Sequence, residues 1–369
     1  MIQNKTFLIN RSDAIGDTIL TTSVAKLIKA HIPDAKVYFI VSQRVGNILK
    51  DHPYIDGYKV YHRERKFFHK MREVYRIFKE VNPTHYLFVG GGFFPNFMAF
   101  ITGVKFRGGL KSRWHTYLFL NYGVRQKRSL VTMHELEYNL NLLAPLGIHY
   151  THHEFFNLIP ELKVTPEEEQ ESLNLLASEL QKNGLDPSKK FIFIHPGMTG
   201  HTLNWSSRNY GRLIARLEEK FPARFNYLVS HTQSDAPFLV GLKEIINSDE
   251  KKDLLKKSVY FYDGKVFGIK GFMALSKHAS LYVGASTGTT HIASIMGAPV
   301  VGIYSPIKVQ SRLRWGPLAQ DPDKVKVIVP DVICGEQRRC ALRDCPYYEC
   351  MGRIEVEDVI REALNVIQL

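Results

Sequence analysis

Apolar and polar positions along this chain follow two periods in turn, and that alternation predicts the architecture. Short apolar runs of strand length, Phe7–Ile9, Val37–Val41 and Tyr86–Val89, are separated by stretches whose apolar residues recur three and four apart. One such stretch, Ile19–Ala30, places Ile19, Val24, Leu27 and Ile28 on one helical face, and Pro33 ends it. Phe67–Val81 has the same period and stops before Pro83. Shorter helical and strand stretches fall around Val45–Lys50 and Tyr58–Tyr61, and His134–Leu146 is a further helix. The chain then turns irregular through His152-His153 and Pro160, which reads as a linker.

A second set of elements follows. Thr165 is an N-cap, Pro166 fills the first helical position and Glu168 completes a capping box; Gly184 is the stop. Strands are expected at Phe191–Ile194, Phe225–Ser230, Val259–Tyr262, Leu281–Val283 and Val300–Tyr304. Helices near Asn209–Phe221, Ile269–Lys277 and Thr290–Met296 alternate with them, and Val356–Ile367 is a final helix. Two strand–helix runs joined by a linker predict an α/β protein with two parallel sheets. The length of 369 residues also exceeds what one core ordinarily holds. We divide the chain at 1–160 and 161–350, with a final segment, 351–369, whose helix has the option of packing back on the N-terminal domain.

In such folds ligands meet the carboxyl ends of the strands. Three loops fall there: Arg11–Asp17, His195–Trp205 and Gly284–His291. The first carries Arg11 with two carboxylates, Asp13 and Asp17, which suits proton chemistry on an acceptor hydroxyl. The third offers Ser286, Thr287, Gly288, Thr289 and Thr290 at a helix start. Hydroxyls, backbone N–H groups and the helix dipole favour an anion there, although Ser286 or Thr287 serves equally well as an ordinary cap. Gly90-Gly91-Gly92, at the end of the Tyr86–Val89 strand, permits close approach of a ligand and is equally compatible with an ordinary loop.

Charge narrows the partners. Between Lys59 and Arg128 stand fifteen Lys/Arg against three Glu and no Asp, nearly the whole of the net +13. The surplus points to an anionic partner, whether nucleic acid, anionic lipid or a phosphorylated glycan. No nucleic-acid recognition motif accompanies it. Gly-x-Gly-x-x-Gly is absent from the first turn, which argues against a dehydrogenase. No apolar run approaches the ~18 residues of a membrane span, and the first apolar run is too short for a signal peptide, so a cytoplasmic location is expected. Cys334, Cys340, Cys345 and Cys350 are the only cysteines. Their spacing lacks a Cys-x-x-Cys pair, so they are weak metal candidates and are read as reduced packing residues; no metal is assigned.

The opening run Arg11-Ser12-Asp13-Ala14-Ile15-Gly16-Asp17-Thr18 resembles the start of glycosyltransferase family 9, the bacterial lipopolysaccharide heptosyltransferases. His195-Pro196-Gly197 with Trp205, Gly264-Lys265 ahead of a helix, Ser286–His291, and Ala298–Pro306 with Arg314–Pro317 continue the resemblance in order over almost the whole length. It implies a GT-B fold, two Rossmann-like domains facing a cleft, with acceptor bound N-terminally and nucleotide sugar C-terminally. The implied reaction is inverting transfer from ADP-heptose to the lipopolysaccharide inner core, with Asp17 as base and Asp13 as the alternate carboxylate. No cofactor is required beyond the nucleotide-sugar donor. The donor set carried over is Pro196, Gly197, Thr199, Trp205, Gly264, Lys265, Ser286, Thr287, Gly288, Thr289 and His291.

The resemblance also gives the basic segment a partner. An anionic glycolipid acceptor at the inner face of the cytoplasmic membrane suits Arg11, Arg63, Arg65, Lys66, Arg107, Lys111 and Arg113, with Phe67-Phe68 and Trp114–Tyr117 adding apolar contact. Two positions depart from the family pattern. Ser286 replaces an Asp, and Leu203-Asn204 precede Trp205 where a Lys is usual, leaving Arg208, Lys265 or His291 to supply positive charge. The alternative reading is therefore a non-catalytic or altered-donor glycan- or lipid-binding protein on the same scaffold.

Overall fold

The computed structural model describes residues 5–198 and 203–368. It divides into two compact units, Met1–Arg128 with Thr132–Lys163, and Val164–Leu369 with Ser129–Val131.

In the first unit the strands are β1 (Thr6–Arg11), β2 (Lys36–Val41), β3 (Gly57–Val60), β4 (His85–Gly90), β5 (Phe106–Leu110) and β6 (Tyr122–Val124). They form one six-stranded parallel sheet in the order β3-β2-β1-β4-β5-β6. The second unit repeats the plan with β7 (Lys190–His195), β8 (Phe225–His231), β9 (Val259–Asp263), β10 (Leu281–Ala285), β11 (Val300–Ile303) and β12 (Val325–Ile328). Its order is β12-β11-β10-β7-β8-β9, the same winding seen from the other edge. This is the Rossmann order in both halves, and it places a topological switch point between β1 and β4 and another between β7 and β10. The central strands read as continuous apolar runs because helices cover both faces of a parallel sheet; Phe7, Leu8, Ile9, Ile192, Phe193 and Ile194 are fully buried or nearly so.

Most predicted elements form close to their expected bounds. The helix Phe67–Val81 matches residue for residue, and Pro166–Lys182 starts at the expected capping box, with the Glu168 N–H donating to Thr165 Oγ1 at 3.2 Å. Gly184 follows this helix at φ +73°, the left-handed backbone that a helix stop uses.

Some expectations change. The first helix begins earlier, at Ile15 (Ile15–His31), so Asp17 lies within its first turn. The stretch His134–Leu146 breaks into an α-helix, Glu135–Leu140, and a 3-10 segment, Asn141–Leu146, because Pro145 supplies no N–H to an α-helical ladder. The helix Gly264–Ser276 is interrupted at Gly268, which takes φ +64°. The final helix, Val356–Val366, buries Val359, Ile360 and Ala363 in the core of the second unit alongside Trp205 and Ile303.

Candidate functional site

The first loop leaves β1 at its carboxyl end, beside β4, where the pairing register shifts between Asn10 and Arg11. Arg11 is only 4% exposed. Its guanidinium donates to the Val89 carbonyl at 3.0 Å, pairs with Asp13 at 3.0 Å and hydrogen-bonds the Asp17 carboxylate. Asp13 and Asp17 keep 33% and 22% of their side chains open to solvent. One buried cation thus holds both candidate carboxylates at the mouth of the switch point. Asp17 also stands in the first turn of the helix Ile15–His31.

Arg11 itself was expected to meet an acceptor. Burial and four internal partners make it the organiser of the loop instead. Its fourth partner, Glu135, lies 3.9 Å from Nη2 and was not singled out in the sequence. Glu135 is 1% exposed and is hydrogen-bonded by Arg128, whose Nη1 also reaches Asn139 Oδ1 at 3.1 Å. Asn139 in turn donates to Thr21 Oγ1, at 3.3 Å, on the first helix. The loop is therefore clamped from below by the helix Glu135–Leu140. Charged residues at a helix start are common on surfaces, and periodicity alone does not say that these point inward.

The glycine triplet serves this arrangement. A Cβ on Gly90 would stand 2.8 Å from Asp13 Oδ2 and 2.9 Å from Arg11 Nη1. One on Gly91, whose φ is +115°, would stand 2.4 Å from Ser12 Oγ. The glycines let two loops of the protein itself close on each other. Behind them runs a buried polar chain: the Tyr86 hydroxyl donates to Asn96 Oδ1 and Asn96 Nδ2 meets His115 Nδ1, both at 2.8 Å.

At the second switch point His195 pairs in register with Gly284. His195 Nδ1 lies 2.9 Å from Ser230 Oγ, and burial holds the imidazole below its usual range against the pull of Asp235. Asp235 presses on Gly197, where a Cβ would come within 2.3 Å of its Oδ1. Across the switch point the helix Gly288–Ile295 begins with Thr287 at its cap position, but the Thr287 side chain makes no cap hydrogen bond. The cap reading for Thr287 is thus not realised. Thr287 Oγ1 meets Thr289 Oγ1 at 2.8 Å, and Thr289 meets the Tyr282 hydroxyl at 2.9 Å. Burial pushes Tyr282 up to about 12 despite these partners, so it stays a neutral phenol. Ser286 is buried next to the Tyr304 hydroxyl, and His291 is 3% exposed.

Pro196, Gly197, Ser286, Thr287, Gly288 and Thr289 are accordingly gathered by one pair of strand ends, whereas other members of the donor set stand differently. Trp205 is 2% exposed and donates its indole N–H to the Ile354 carbonyl at 2.8 Å, so it is a core residue that fixes the loop. Asn204 Nδ2 ties the same loop to the Pro196 carbonyl at 2.7 Å, and Leu203 packs on the core. Arg208 is held by Glu244 at 2.7 Å. Gly264 and Lys265 open their helix after β9, with Lys265 Nζ 3.2 Å from Gln233 Oε1. Thr199 lies outside the described residues.

The basic segment splits by role. Arg107 donates to the carbonyls of Phe119 and Val104 and covers the Phe100 ring, so it braces β5 instead of facing an acceptor. Lys111 is half-buried. Arg113 donates to the Gly91 carbonyl at 2.9 Å, and Arg63, Arg65 and Lys66 are exposed, Arg65 pairing with Glu73 at 3.2 Å. The four cysteines form no disulfide, and Cys350 is buried, its thiol pushed up by burial and the neighbouring thiols. Among the described residues no group of three His, Cys, Asp or Glu is arranged to hold a metal ion. No helix among them is long and apolar enough to cross a membrane.

Comparison with known proteins supplies the context for these two switch points. An Escherichia coli protein, lipopolysaccharide heptosyltransferase 3, is 24% identical over 329 residues, covering 83% of each chain. The E. coli structure described as ADP-heptose lps heptosyltransferase II superposes with a TM-score of 0.75 at 17% identity, covering 98% of both chains. A family 9 glycosyltransferase from Veillonella parvula gives 0.74 at 16% identity, over 99% of this chain and 98% of that one. These likenesses establish the GT-B fold. The family profile described as "Glycosyltransferase family 9 (heptosyltransferase)" matches residues 91–339, more than half of the chain, and this protein, a glycosyltransferase, belongs to that family.

Proposed function

We propose that the protein transfers heptose from ADP-heptose, with inversion, to the inner core of lipopolysaccharide or a related anionic glycan, with Asp17 as general base. The observation that carries this reading is the pair of carboxylates held by buried Arg11 at the β1–β4 switch point, partly open to solvent at the carboxyl edge of the sheet. In the step itself an acceptor hydroxyl oxygen bonds the anomeric carbon, and Asp17 accepts the hydroxyl proton. The bond from that carbon to the phosphate oxygen breaks, and the nucleoside diphosphate leaves with its electron pair. The first turn at Gly288, which the Thr287 side chain leaves uncapped, with Ser286, Thr287 and Thr289 around it, suits the departing diphosphate. Arg63, Arg65, Lys66 and Arg113 are exposed, which suits pairing with acceptor phosphates and carboxylates. The protein works in the cytoplasm as a peripheral protein of the membrane face.

A second reading, an altered donor or a binding protein without turnover, is favoured by Leu203 packing on the core and Ser286 being buried, which remove a cation and a carboxylate from the family's donor pattern. Calorimetry with ADP-, UDP- and GDP-sugars separates the two. Preference for ADP-heptose followed by nucleoside diphosphate release supports the first; preference for another nucleotide, or none, supports the second.

A further inference from the structure

The first unit carries an apolar ridge that its own core does not cover. Phe68 is 75% exposed, Trp114 66% and Leu118 65%, far above what large apolar side chains ordinarily show. The exposed rings are joined through neighbours, one of which, Phe94, is itself buried in the core. Phe67 meets Phe68 at 5.5 Å and Phe94 at 5.1 Å; Phe94 meets Phe93, on which Trp114 stacks at 5.6 Å. Phe93 and Phe100 both touch Phe119, which carries the row to the exposed pair Phe100 and Ile101 at the end of the helix Phe93–Ile101.

Cations collar these rings. Arg63, Arg65 and Lys66 immediately precede Phe67, and Lys70 Nζ stands 5.3 Å above the Phe94 ring. Arg113 adjoins Trp114, and Arg107 covers Phe100. A row of aromatic and aliphatic side chains ringed by Lys and Arg fits an interface in which apolar groups sink among acyl chains while the cations meet phosphates. A protein partner of the usual kind is less well matched, because interface cores are depleted of Lys.

We propose that this ridge, from Phe67-Phe68 through Trp114 and Leu118 to Phe100-Ile101, is the surface that seats the protein on an anionic phospholipid bilayer. The inference deepens the acceptor reading above by assigning the membrane contact to these residues, but vesicle binding does not depend on donor or acceptor chemistry.

The test is sedimentation of the purified full chain with vesicles of phosphatidylcholine, with and without phosphatidylglycerol. Wild type is expected to bind only the anionic vesicles, increasingly weakly as salt rises. Phe68→Asp and Trp114→Asp, at positions mostly in solvent, are each expected to weaken binding at least about tenfold. Hydrogen exchange of the Thr6–Arg11 and Glu135–Leu140 amides, in the same unit as both substitutions, is the control for folding and stays unchanged. Absence of binding, equal binding to neutral vesicles, or variants that bind like wild type would overturn the proposal. So would a dimer in light scattering that the same substitutions dissociate, since the ridge would then belong to a second copy. Vesicle binding without sugar transfer leaves the ridge standing and removes only the proposed function.

Discussion

Replacing Arg128 with Met tests whether the clamp beneath the first loop is a coupled unit. The substitution keeps much of the stem volume but removes the guanidinium from Glu135, which is 1% exposed, and from Asn139 Oδ1 at 3.1 Å. Taking one partner from a buried ion pair costs about 3–5 kcal/mol, most of it the penalty of a desolvated charge left behind. Glu135→Gln removes the opposite charge while leaving a hydrogen-bonding group, and is expected to cost about 2–3 kcal/mol. In the double variant neither charge remains to be stranded, so the loss should fall short of the sum by about 2 kcal/mol. Hydrogen exchange of the Glu135–Leu140 and Thr6–Arg11 amides, followed by mass spectrometry, reads these energies locally and does not require the two units to unfold together. Protection unchanged within about 0.5 kcal/mol in either single variant, or strict additivity in the double, would refute the coupling.

Three further outcomes follow from the same geometry. Gly91→Ala, at φ +115° with Ser12 Oγ 2.4 Å from the new Cβ, should displace the first loop, costing about 1–3 kcal/mol of local stability and most of the transferase activity; wild-type turnover in this variant would contradict the packing role. Trp205→Phe should lower the thermal midpoint of the second unit through loss of the bond to the Ile354 carbonyl, about 1–2 kcal/mol, with nucleotide affinity unchanged; a selective loss of affinity would return Trp205 to the donor site. Burial lowers the His52 imidazole to about 4, with Glu161 opposing. The unfolded chain therefore binds the extra proton first, and the stability that neutral His52 contributes is present above pH 6.5 and lost as pH falls towards 4, about 3 kcal/mol over that window. Denaturant midpoints measured across it should fall less steeply in His52→Gln; an unchanged slope would rule this group out.

Much of the fold was legible because both sheets are parallel and buried, which writes continuous apolar runs separated by helical periods. The capping box at Thr165 and Glu168 marked its helix start to the residue. The elements least visible lie where that grammar fails. The helix Phe93–Ile101 is apolar on nearly every side, β5 contains two glycines, and β12 is half-exposed along its length at a sheet edge. The site was legible as loops and much less as partners. Arg11 and Asp17 stand six residues apart and declare themselves, but Glu135 and Arg128 reach them only because the fold returns a distant helix beneath the loop. Trp205 shows the converse: a motif residue whose position in the sequence suggested ligand contact, and whose indole is closed into the core by the terminal segment.

In the proposed sugar transfer Asp17 takes the proton. Asp17→Asn preserves the size of the side chain and an oxygen for Arg11 to bond, so the loop and the donor site should remain formed. Single-turnover transfer from ADP-heptose to a lipopolysaccharide inner-core acceptor, measured with donor affinity on the same preparation, is the direct test. The rate should fall about 10²–10⁴-fold with donor affinity unchanged. Transfer within a few-fold of wild type would contradict it and move the base elsewhere, with Asp13 the next residue to replace.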